Sequence, residues 1–211
     1  MIDTIMWDWN GTLLNDTDIC IESMNHLLDI RKYQSIDKQR YHEIFTFPVR
    51  NYYTSAGFDL KTEKFDIVAI EFMDQYFARL NQAKIFRDAE YVLLTFRQRN
   101  IKQLLISAMK HESLIASVKE KGLFAYFDYV SGIQDHYADG KLENAKSLIS
   151  TLKPEISRTL MIGDTVHDFE VASELGVQCL LVADGHQSIG RLKSLNCNVV
   201  ENLIQVIDLI N

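Results

Sequence analysis

The chain has 211 residues, of which 47% are hydrophobic and 24% are charged, and its formal net charge at pH 7 is −7. These fractions are those of an ordinary globular protein with a buried core, large enough for one domain or for one domain with a small second one. The acidic balance argues against nucleic acid or a membrane surface as a partner, so an anionic substrate would need local positive charge from a metal or a few placed cations.

The three cysteines, Cys20, Cys179 and Cys197, show no C-x-x-C spacing. Such a sparse, odd set predicts small core residues in a reducing compartment and no disulfide framework. The N-terminus lacks the basic and apolar regions of a signal peptide, and no apolar run approaches the length of about 18 residues that a membrane span needs. We therefore expect a cytoplasmic protein.

Short runs rich in Ile, Val and Leu recur along the chain and predict buried strands. They cover residues 4–7, 102–106, 129–130, 159–162, 179–182 and 199–200. Helical patterns that end at Gly or Asn lie between them, for example over residues 89–99, 112–121 and 169–175. Strands that alternate with helices of this length predict an α/β fold with a doubly wound parallel sheet.

One region interrupts this alternation, because residues from about 16 to 84 show helical periodicity and no convincing strand. The second of its long helices has Thr62 as a candidate N-cap. One face of the first helix would carry Ile19, Ser23, His26, Leu27 and Ile30, and the apolar residues of the second are Ile67, Ile70, Phe72, Met73, Phe77 and Leu80. We predict an all-helical cap domain of residues 16–84, inserted into an α/β core of residues 1–15 and 85–211.

Polar side chains stand where three of the predicted strands end. The run TIMWD ends in Asp8, KQLLIS ends in Ser107, and TLMIGD ends in Asp164, with Asp168 one helical turn later. In an open α/β sheet, ligands bind at the carboxyl ends of the strands, so these groups should converge on one crevice. Asp8 and Asp164, with backbone carbonyls and waters, would form an all-oxygen site for Mg²⁺.

The segment DGKLENAKSL places Lys141 at a loop-to-helix junction, which favours it over Lys146 as a partner of this crevice. Lys141 and Ser107 offer a cation and a hydroxyl, a suitable pair for binding a phosphoryl group. Gly11 and Thr12 follow Asp8 in a flexible turn whose backbone N–H groups can approach anionic oxygens. With a metal and a cation beside it, Asp8 should stay ionised and could attack phosphorus.

Four segments, DWNGTLL, LLIS, the lysine of GKLENAK, and GDTVHD, resemble in this order the four motifs of the haloacid dehalogenase (HAD) superfamily. The helical insert resembles the cap of its phosphoglycolate phosphatase-like branch, and the resemblance covers essentially the whole chain. It implies a HAD-like Rossmannoid core and a Mg²⁺-dependent phosphohydrolase. It implies that Asp8 is the nucleophile and that the metal ligands are Asp8, the Asn10 backbone carbonyl and Asp164. The phosphate clamp would consist of Ser107, Ala108 and Lys141. Asp168 would be a supporting carboxylate that could orient Lys141 or a metal-bound water.

The sequence departs from the family pattern at Asn10, where the phosphatases usually carry an Asp that acts as general acid and then as general base. An amide can orient a water but cannot move a proton at neutral pH. Two alternatives therefore stay open, a changed reaction of the dehalogenase or phosphonatase type and a phosphate-binding pseudo-phosphatase without catalysis. A two-component receiver domain fits poorly, because a receiver has no large helical insert after its first strand.

The substrate would be a small phosphorylated metabolite enclosed by the cap, and the protein a monomer or homodimer. Within the cap, the stretch IFTFPVRNYY is the candidate specificity element. Its Phe45, Phe47, Tyr52 and Tyr53 favour a place in the cap core over stacking on the substrate, and Arg50 could either meet an acidic leaving group or lie solvated at the surface. His167 and His186 lie near strand ends, and the sequence assigns neither of them a role.

Overall fold

The computed structural model describes residues 1–133 and 140–210. The strands in this part of the chain are β1 Thr4–Trp7, β2 Leu14–Asn15, β3 Lys84–Ile85, β4 Lys102–Lys110, β5 Tyr129–Ile133, β6 Thr159–Gly163, β7 Gln178–Val182 and β8 Asn198–Val200. The helices are α1 Thr17–Ile30, α2 Lys38–Ile44, α3 Val49–Ala56, α4 Phe65–Arg79, α5 Ala89–Gln98, α6 His111–Glu120, α7 Gly140–Leu152, α8 Val166–Leu175, α9 Ile189–Leu192 and α10 Ile204–Leu209.

Six of these strands form one sheet in the order β5-β4-β1-β6-β7-β8, and every neighbouring pair is parallel. The first strand therefore lies in the middle of the sheet, between β4 and β6. This arrangement confirms the predicted α/β class with a parallel sheet. It also brings the carboxyl ends of β1, β4 and β6 next to one another, because parallel strands end at the same edge.

Helices cover both faces of the sheet, as a parallel sheet requires. Side chains alternate along β1, so that Met6 packs with residues of α7 and α8 while Ile5 and Trp7 pack on the opposite face with α5 and α6. The buried indole of Trp7 donates a hydrogen bond to the Gln103 side chain at 3.0 Å, which satisfies a polar group inside this core.

Helices α1–α4 lie between β2 and β3, two short strands that pair antiparallel through Leu14 with Ile85 and Asn15 with Lys84. The chain thus leaves the sheet region and returns to it along one two-stranded ribbon. Helix α1 buries Cys20, Met24, Leu27 and Leu28 besides Ile19 and Ser23. His26 and Ile30, which the sequence pattern placed on the same face, are exposed, so the buried face is rotated from the predicted one.

Helix α4 also differs from its prediction. It begins at Phe65 with Lys64 as N-cap, and the Thr62 hydroxyl instead donates to the Asp59 carbonyl, so Thr62 is not its cap. The helix buries Val68 and Tyr76, whereas four of its large apolar side chains are exposed: Ile67, Ile70, Met73 and Phe77. Helix α4 packs on α1, and the face it buries there carries the tyrosine hydroxyl that reaches the site described below.

All three cysteines are free thiols, in agreement with the prediction from their spacing. Within residues 1–133 and 140–210, the structure contains no helix that is both long and apolar enough to cross a membrane.

Candidate active site

The predicted strand-end residues Asp8, Ser107 and Asp164 lie at the same edge of the sheet and are all buried. Asp8 follows β1, and its backbone N–H donates to the Ile162 carbonyl of β6 at 2.9 Å, which extends the pairing of the two strands to the site. Ser107 differs slightly from its prediction, because β4 continues to Lys110 and Ser107 lies within it, at an irregularity after Ile106. The strand-end rule therefore located all three groups.

Lys141, near the start of α7, connects two carboxylates. Its ammonium group contacts Asp8 Oδ1 and lies 2.5 Å from Asp168 Oδ1, and all three side chains are buried. Burial would lower the pKa of Lys141, but Asp168 and Asp8 outweigh it and hold the pKa above the ordinary value, so the lysine is a cation here. Lys146, the rival considered from the sequence, is exposed and pairs with Glu143 at 3.0 Å.

Asp168 is held by the first turn of its own helix. Thr165 is the N-cap of α8 in a capping box, in which its hydroxyl oxygen accepts from the Asp168 N–H at 3.3 Å and Asp168 Oδ2 accepts from the Thr165 N–H at 3.0 Å. The Thr165 hydroxyl also donates to Asp168 Oδ2 at 2.7 Å. The other oxygen, Oδ1, faces Lys141. Burial would raise the pKa of Asp168, but Lys141 and these hydrogen bonds lower it overall. Asp168 is therefore an ionised partner of Lys141 in this structure.

Asp8 and Asp164 face each other across a single hydroxyl. Thr12 Oγ1 lies 3.1 Å from Asp8 Oδ2 and 3.2 Å from Asp164 Oδ1, and one hydroxyl has one hydrogen to share between them. Burial, opposed by Lys141, raises the pKa of Asp8 to about 6. Burial, opposed by His186, raises the pKa of Asp164 to about 8. Without a metal ion, the protein thus places too little positive charge near Asp8 and Asp164 to keep both carboxylates ionised.

The balance of buried charge leads to the same conclusion. Four carboxylates, Asp8, Asp16, Asp164 and Asp168, are buried at this edge of the sheet, and among the described residues Lys141 and His186 are the buried groups able to carry positive charge. A divalent cation would supply the two missing charges. Oxygen atoms of Asp8, Asp164 and Asp168 lie within 4.8 Å of one another, and carboxylate oxygens are the ligands that Mg²⁺ prefers. The residues present therefore fit a hard divalent metal.

The side chain of Asn10 is hydrogen-bonded through both its nitrogen and its oxygen. Its Nδ2 donates to Asp16 Oδ2 at 2.8 Å and to the Tyr76 hydroxyl at 2.8 Å, while its Oδ1 accepts from Ser107 Oγ at 3.3 Å. Both hydrogens of the amide and its oxygen are engaged within the protein. Asn10 thus links the Ser107 hydroxyl of the sheet to a tyrosine of α4.

Asp16 and His186 form a second buried pair next to Asp164. His186 Nε2 lies 3.4 Å from Asp16 Oδ1, its Nδ1 is 2.8 Å from the Tyr41 hydroxyl, and its backbone N–H donates to Asp164 Oδ2 at 2.6 Å. Burial would lower the pKa of His186, but Asp16, followed by Asp164 and Asp8, raises it to about 9. Burial would raise the pKa of Asp16, but His186, Tyr76 and Asn10 lower it overall.

Two glycines allow the backbone to approach Asp164. A Cβ at Gly11, whose φ is +78°, would lie 2.3 Å from Asp164 Oδ2, and a Cβ at Gly185 would lie 2.2 Å from the same atom. Any other residue at these positions would displace the carboxylate. The Gly11 N–H, considered from the sequence as a phosphate donor, already donates to Asp16 Oδ1 at 3.0 Å.

The structure does not bring every predicted residue to this centre. Arg50 lies on α3, is exposed, and places its guanidinium carbon 5.5 Å from the centroid of the Phe65 ring. Ala108 follows Ser107 in β4 and is half-buried. Tyr52 and Tyr53 are buried among α1–α4, as the core interpretation expects.

Phe45 and Phe47 instead reach the sheet side of the molecule. The Phe45 ring lies 4.9 Å from that of His186, and Phe47 stacks on His167 at 4.7 Å. The carbonyl of Phe45 also accepts from Arg191 at 2.7 Å and from Gln187 at 3.0 Å. These contacts hold the α2–α3 connection against the edge of the sheet that carries Asp8 and Asp164.

Sequence reasoning missed Asp16, Tyr76 and His186 as parts of the site. Applying the strand-end rule to β7 would have drawn attention to His186, which follows that strand by four positions in the loop with Gly185. Asp16 is the N-cap residue of α1, yet its side chain makes no capping hydrogen bond. The sequence does not indicate that Asp16 bonds other side chains instead of capping α1, because its partner Tyr76 lies 60 residues further along the chain.

Comparisons with known proteins identify the family of this chain. A family model described as haloacid dehalogenase-like hydrolase matches residues 5–182. A Clostridium perfringens protein that carries the provisional name pyrophosphatase PpaX is 23% identical over 224 residues, spanning 100% of this chain and 98% of its own. Pyrophosphatase PpaX of Anoxybacillus flavithermus is 22% identical over 189 residues, spanning 86% of this chain and 84% of its own.

Among solved structures, a haloacid dehalogenase-like hydrolase from Streptococcus pneumoniae superimposes with a TM-score of 0.85 at 17% identity, covering 100% of this chain and 99% of its own. At that identity the likeness establishes the shared fold, and the function has to be argued from the site.

Proposed function

Because the chain belongs to the haloacid dehalogenase-like hydrolase family, we propose that it is a Mg²⁺-dependent phosphohydrolase acting on a small phosphorylated metabolite through an aspartyl-phosphate on Asp8. The observation that carries the proposal is the buried contact of Asp8 with Lys141 opposite Asp164. A nucleophilic carboxylate with a fixed cation on one side and a second carboxylate on the other has the charge pattern of a phosphoryl-transfer site.

The two oxygens of Asp8 suggest separate roles. Oδ2 faces Asp164 across Thr12, so this side would hold the metal together with the Asn10 backbone carbonyl. Oδ1 faces Lys141, which places the attacking oxygen beside the cation that would bind the phosphoryl oxygens. Bound Mg²⁺ would neutralise charge on the transferring phosphoryl group and orient it.

The reaction has two displacements. In the first, Asp8 Oδ1 forms a bond to phosphorus as the bond to the leaving group breaks, and the leaving group departs with that electron pair. In the second, a water oxygen attacks phosphorus, the bond from phosphorus to Asp8 Oδ1 breaks with its electron pair returning to the Asp8 carboxylate, and the water proton passes to an oxygen of the departing phosphate. Lys141 stays charged throughout, because the Asp168 carboxylate beside it favours the protonated amine.

We further propose that residues 16–84 act as a cap over a core of residues 1–15 and 85–211. Asp8, Ser107, Lys141 and Asp164 are almost completely buried, so a substrate needs the helical segment to move. The hydrogen bonds from Arg191 and Gln187 to Phe45 would have to break for that movement.

The alternative reactions are less well supported. A phosphonatase reaction would need a cap lysine near the centre to form a Schiff base, but the lysines of residues 16–84, namely Lys32, Lys38, Lys61, Lys64 and Lys84, are all exposed. A pseudo-phosphatase would bind phosphate without turnover. Hydrolysis of an aryl phosphate with and without Mg²⁺ separates the enzyme from the binding module.

Asn10 narrows the expected substrate class. Its amide cannot protonate a leaving group, and general acid catalysis is typically worth about 10²–10⁴ in rate. We expect kcat/KM to be higher by about this factor for aryl, acyl or pyrophosphate substrates, whose leaving groups need little protonation, than for sugar or alkyl phosphates. The relatives named pyrophosphatase are in keeping with an anhydride substrate.

A steady-state comparison of p-nitrophenyl phosphate, acetyl phosphate and pyrophosphate with glycerol phosphate and glucose phosphate measures this difference. Equal rates for the activated and the alkyl substrates would contradict the expectation, since another group would then be supplying the proton.

A further inference from the structure

Three side chains close a hydrogen-bonded triangle at the edge of the site. Asn10 Nδ2 donates one hydrogen to Asp16 Oδ2 at 2.8 Å and the other to the Tyr76 hydroxyl at 2.8 Å. The Tyr76 hydroxyl donates its own hydrogen to Asp16 Oδ2 at 2.6 Å. Asp16 and Tyr76 are buried, so water cannot easily replace any of the three bonds.

The triangle fixes which way the Asn10 carboxamide points. If the amide were turned over, its oxygen would face the Asp16 carboxylate and the Tyr76 hydroxyl. The one hydrogen of the Tyr76 hydroxyl could then serve only one of the two acceptors, and the Asn10 and Asp16 oxygens would repel each other. With Nδ2 in the triangle, Asn10 Oδ1 lies toward Ser107 and accepts from its hydroxyl at 3.3 Å. The backbone N–H of Met109 donates to the same Ser107 oxygen at 3.0 Å. The Ser107 hydroxyl is thus oriented from both sides.

We propose that Asp16 and Tyr76 are positioning residues, which act through the Asn10 carboxamide to fix the orientation of the Ser107 hydroxyl. The inference rests on the proposed function, in which Ser107 binds the phosphoryl group, so its one hydrogen, given to Asn10 Oδ1 in this structure, would turn to a phosphoryl oxygen when substrate binds. Tyr76 belongs to α4 in the segment between β2 and β3, so the orientation of Ser107 depends on where that segment lies.

The same geometry explains why position 10 carries an amide. A carboxylate there would lie about where Asn10 Nδ2 is, 2.8 Å from Asp16 Oδ2, and the two like charges would repel in a buried site. The reciprocal exchange avoids this repulsion. With Asp at 10 and Asn at 16, the new amide donates to the carboxylate and to Tyr76, and the Tyr76 hydroxyl donates to the carboxylate, so the triangle closes again as its mirror image.

The outer contacts of Asp16 also survive the exchange. Oδ1 of residue 16 accepts from the Gly11 N–H at 3.0 Å and faces His186 Nε2 at 3.4 Å, and an amide oxygen can accept from both. The net charge of the site stays the same. The exchange moves the negative charge away from His186, but Asp16→Asn alone loses the same ion pair, so comparing the double variant with that single variant still isolates the pairing of positions 10 and 16.

The experiment compares wild type, Asn10→Asp, Asp16→Asn and the double variant by urea unfolding and by turnover of p-nitrophenyl phosphate with Mg²⁺. We expect each single variant to unfold at a lower urea concentration, and the double variant to unfold closer to wild type than either. Asp16→Asn should also lose about tenfold or more in kcat, since small displacements of binding groups can cost about 10²-fold. Coupling of the two positions is read from unfolding, because a carboxyl at position 10 can itself act as an acid or base and change kcat. A double variant whose loss of stability equals the sum of the two single losses would overturn the proposal.

Tyr76→Phe provides a second test, which avoids new charges and keeps the ring packed against Phe72 and Phe77. Loss of the hydroxyl should lower kcat by about tenfold while KM changes little, because the substrate still binds but Ser107 is no longer fixed. The matched control is Tyr33→Phe, whose hydroxyl bonds Glu63 at the exposed surface of the same segment. Equal effects of the two variants on kcat, or a change confined to KM, would overturn the positioning role.

The unfolding and turnover measurements together distinguish this inference from the proposed function. A wild-type protein without phosphohydrolase activity would overturn the proposed function and the catalytic role of the triangle together. The urea arm would still report whether Asn10 and Asp16 are coupled. An active wild type with additive variants would overturn the positioning inference alone.

Discussion

Asp8→Asn is expected to lower turnover of every phosphorylated substrate by about 10⁴-fold or more, the size of loss that removal of a catalytic nucleophile causes in other hydrolases. The substitution keeps the volume of the side chain but removes the oxygen that would bond to phosphorus. The fold should tolerate it, because burial already raises the pKa of Asp8 to about 6 and so disfavours its charged form. Lys141 keeps Asp168 as its ionised partner.

The measurement is kcat for p-nitrophenyl phosphate, with circular dichroism and thermal unfolding to show that the variant is folded. Asp18→Asn is the matched control, since Asp18 is an exposed aspartate paired with Lys38 at 3.3 Å. A folded Asp8→Asn protein with wild-type turnover would show that Asp8 is not the nucleophile.

Asp164→Asn is expected to weaken Mg²⁺ binding by about 10²-fold or more, because loss of a supporting hydrogen-bond partner of a ligand alone typically costs 10–100-fold. A hard dication needs anionic oxygen, and the amide keeps only one neutral oxygen in its place. That oxygen can still accept from the His186 N–H, which donates to Asp164 at 2.6 Å.

The metal-free protein should not be destabilised by the same change near neutral pH. Burial, with Asp8 and Asp168 nearby, raises the pKa of Asp164 to about 8, and a group whose pKa rises on folding stabilises the fold only while it is protonated. A neutral amide resembles that protonated form. Calorimetric titration with Mg²⁺ measures the affinity, Asp18→Asn serves again as control, and unchanged Mg²⁺ binding would contradict the assignment of Asp164.

The sequence was sufficient for the sheet and for the groups at its strand ends. Buried runs such as TIMW and TLMI are strongly apolar. Asp8 follows the first directly and Asp164 follows the second after Gly163, and a buried carboxylate is costly unless it is paired or binds a metal. Because parallel strands end at one edge, Asp8 and Asp164 could be placed together although 156 positions separate them in the chain.

The parts that sequence reasoning missed depend on contacts with the segment between β2 and β3. Asp16 looks like an ordinary N-cap, but Tyr76 and Asn10 engage its carboxylate and leave α1 without a side-chain cap. The apolar pattern of α4 did not indicate which face is buried, because Ile67 and Ile70 are exposed while Tyr76 is buried against Asp16. Local periodicity carries no information on which partner a helix face meets.

The most direct test of the account is to trap the covalent intermediate. Wild-type protein with Mg²⁺ is mixed with acetyl phosphate or p-nitrophenyl phosphate, quenched in acid within one turnover, digested and analysed by mass spectrometry. Without a general base at Asn10, water should attack slowly, so the account predicts a mass increment of one phosphoryl group on the peptide that carries Asp8, and none in Asp8→Asn. Turnover of these substrates with no phosphoryl group on that peptide, or with the group on another residue, would contradict it.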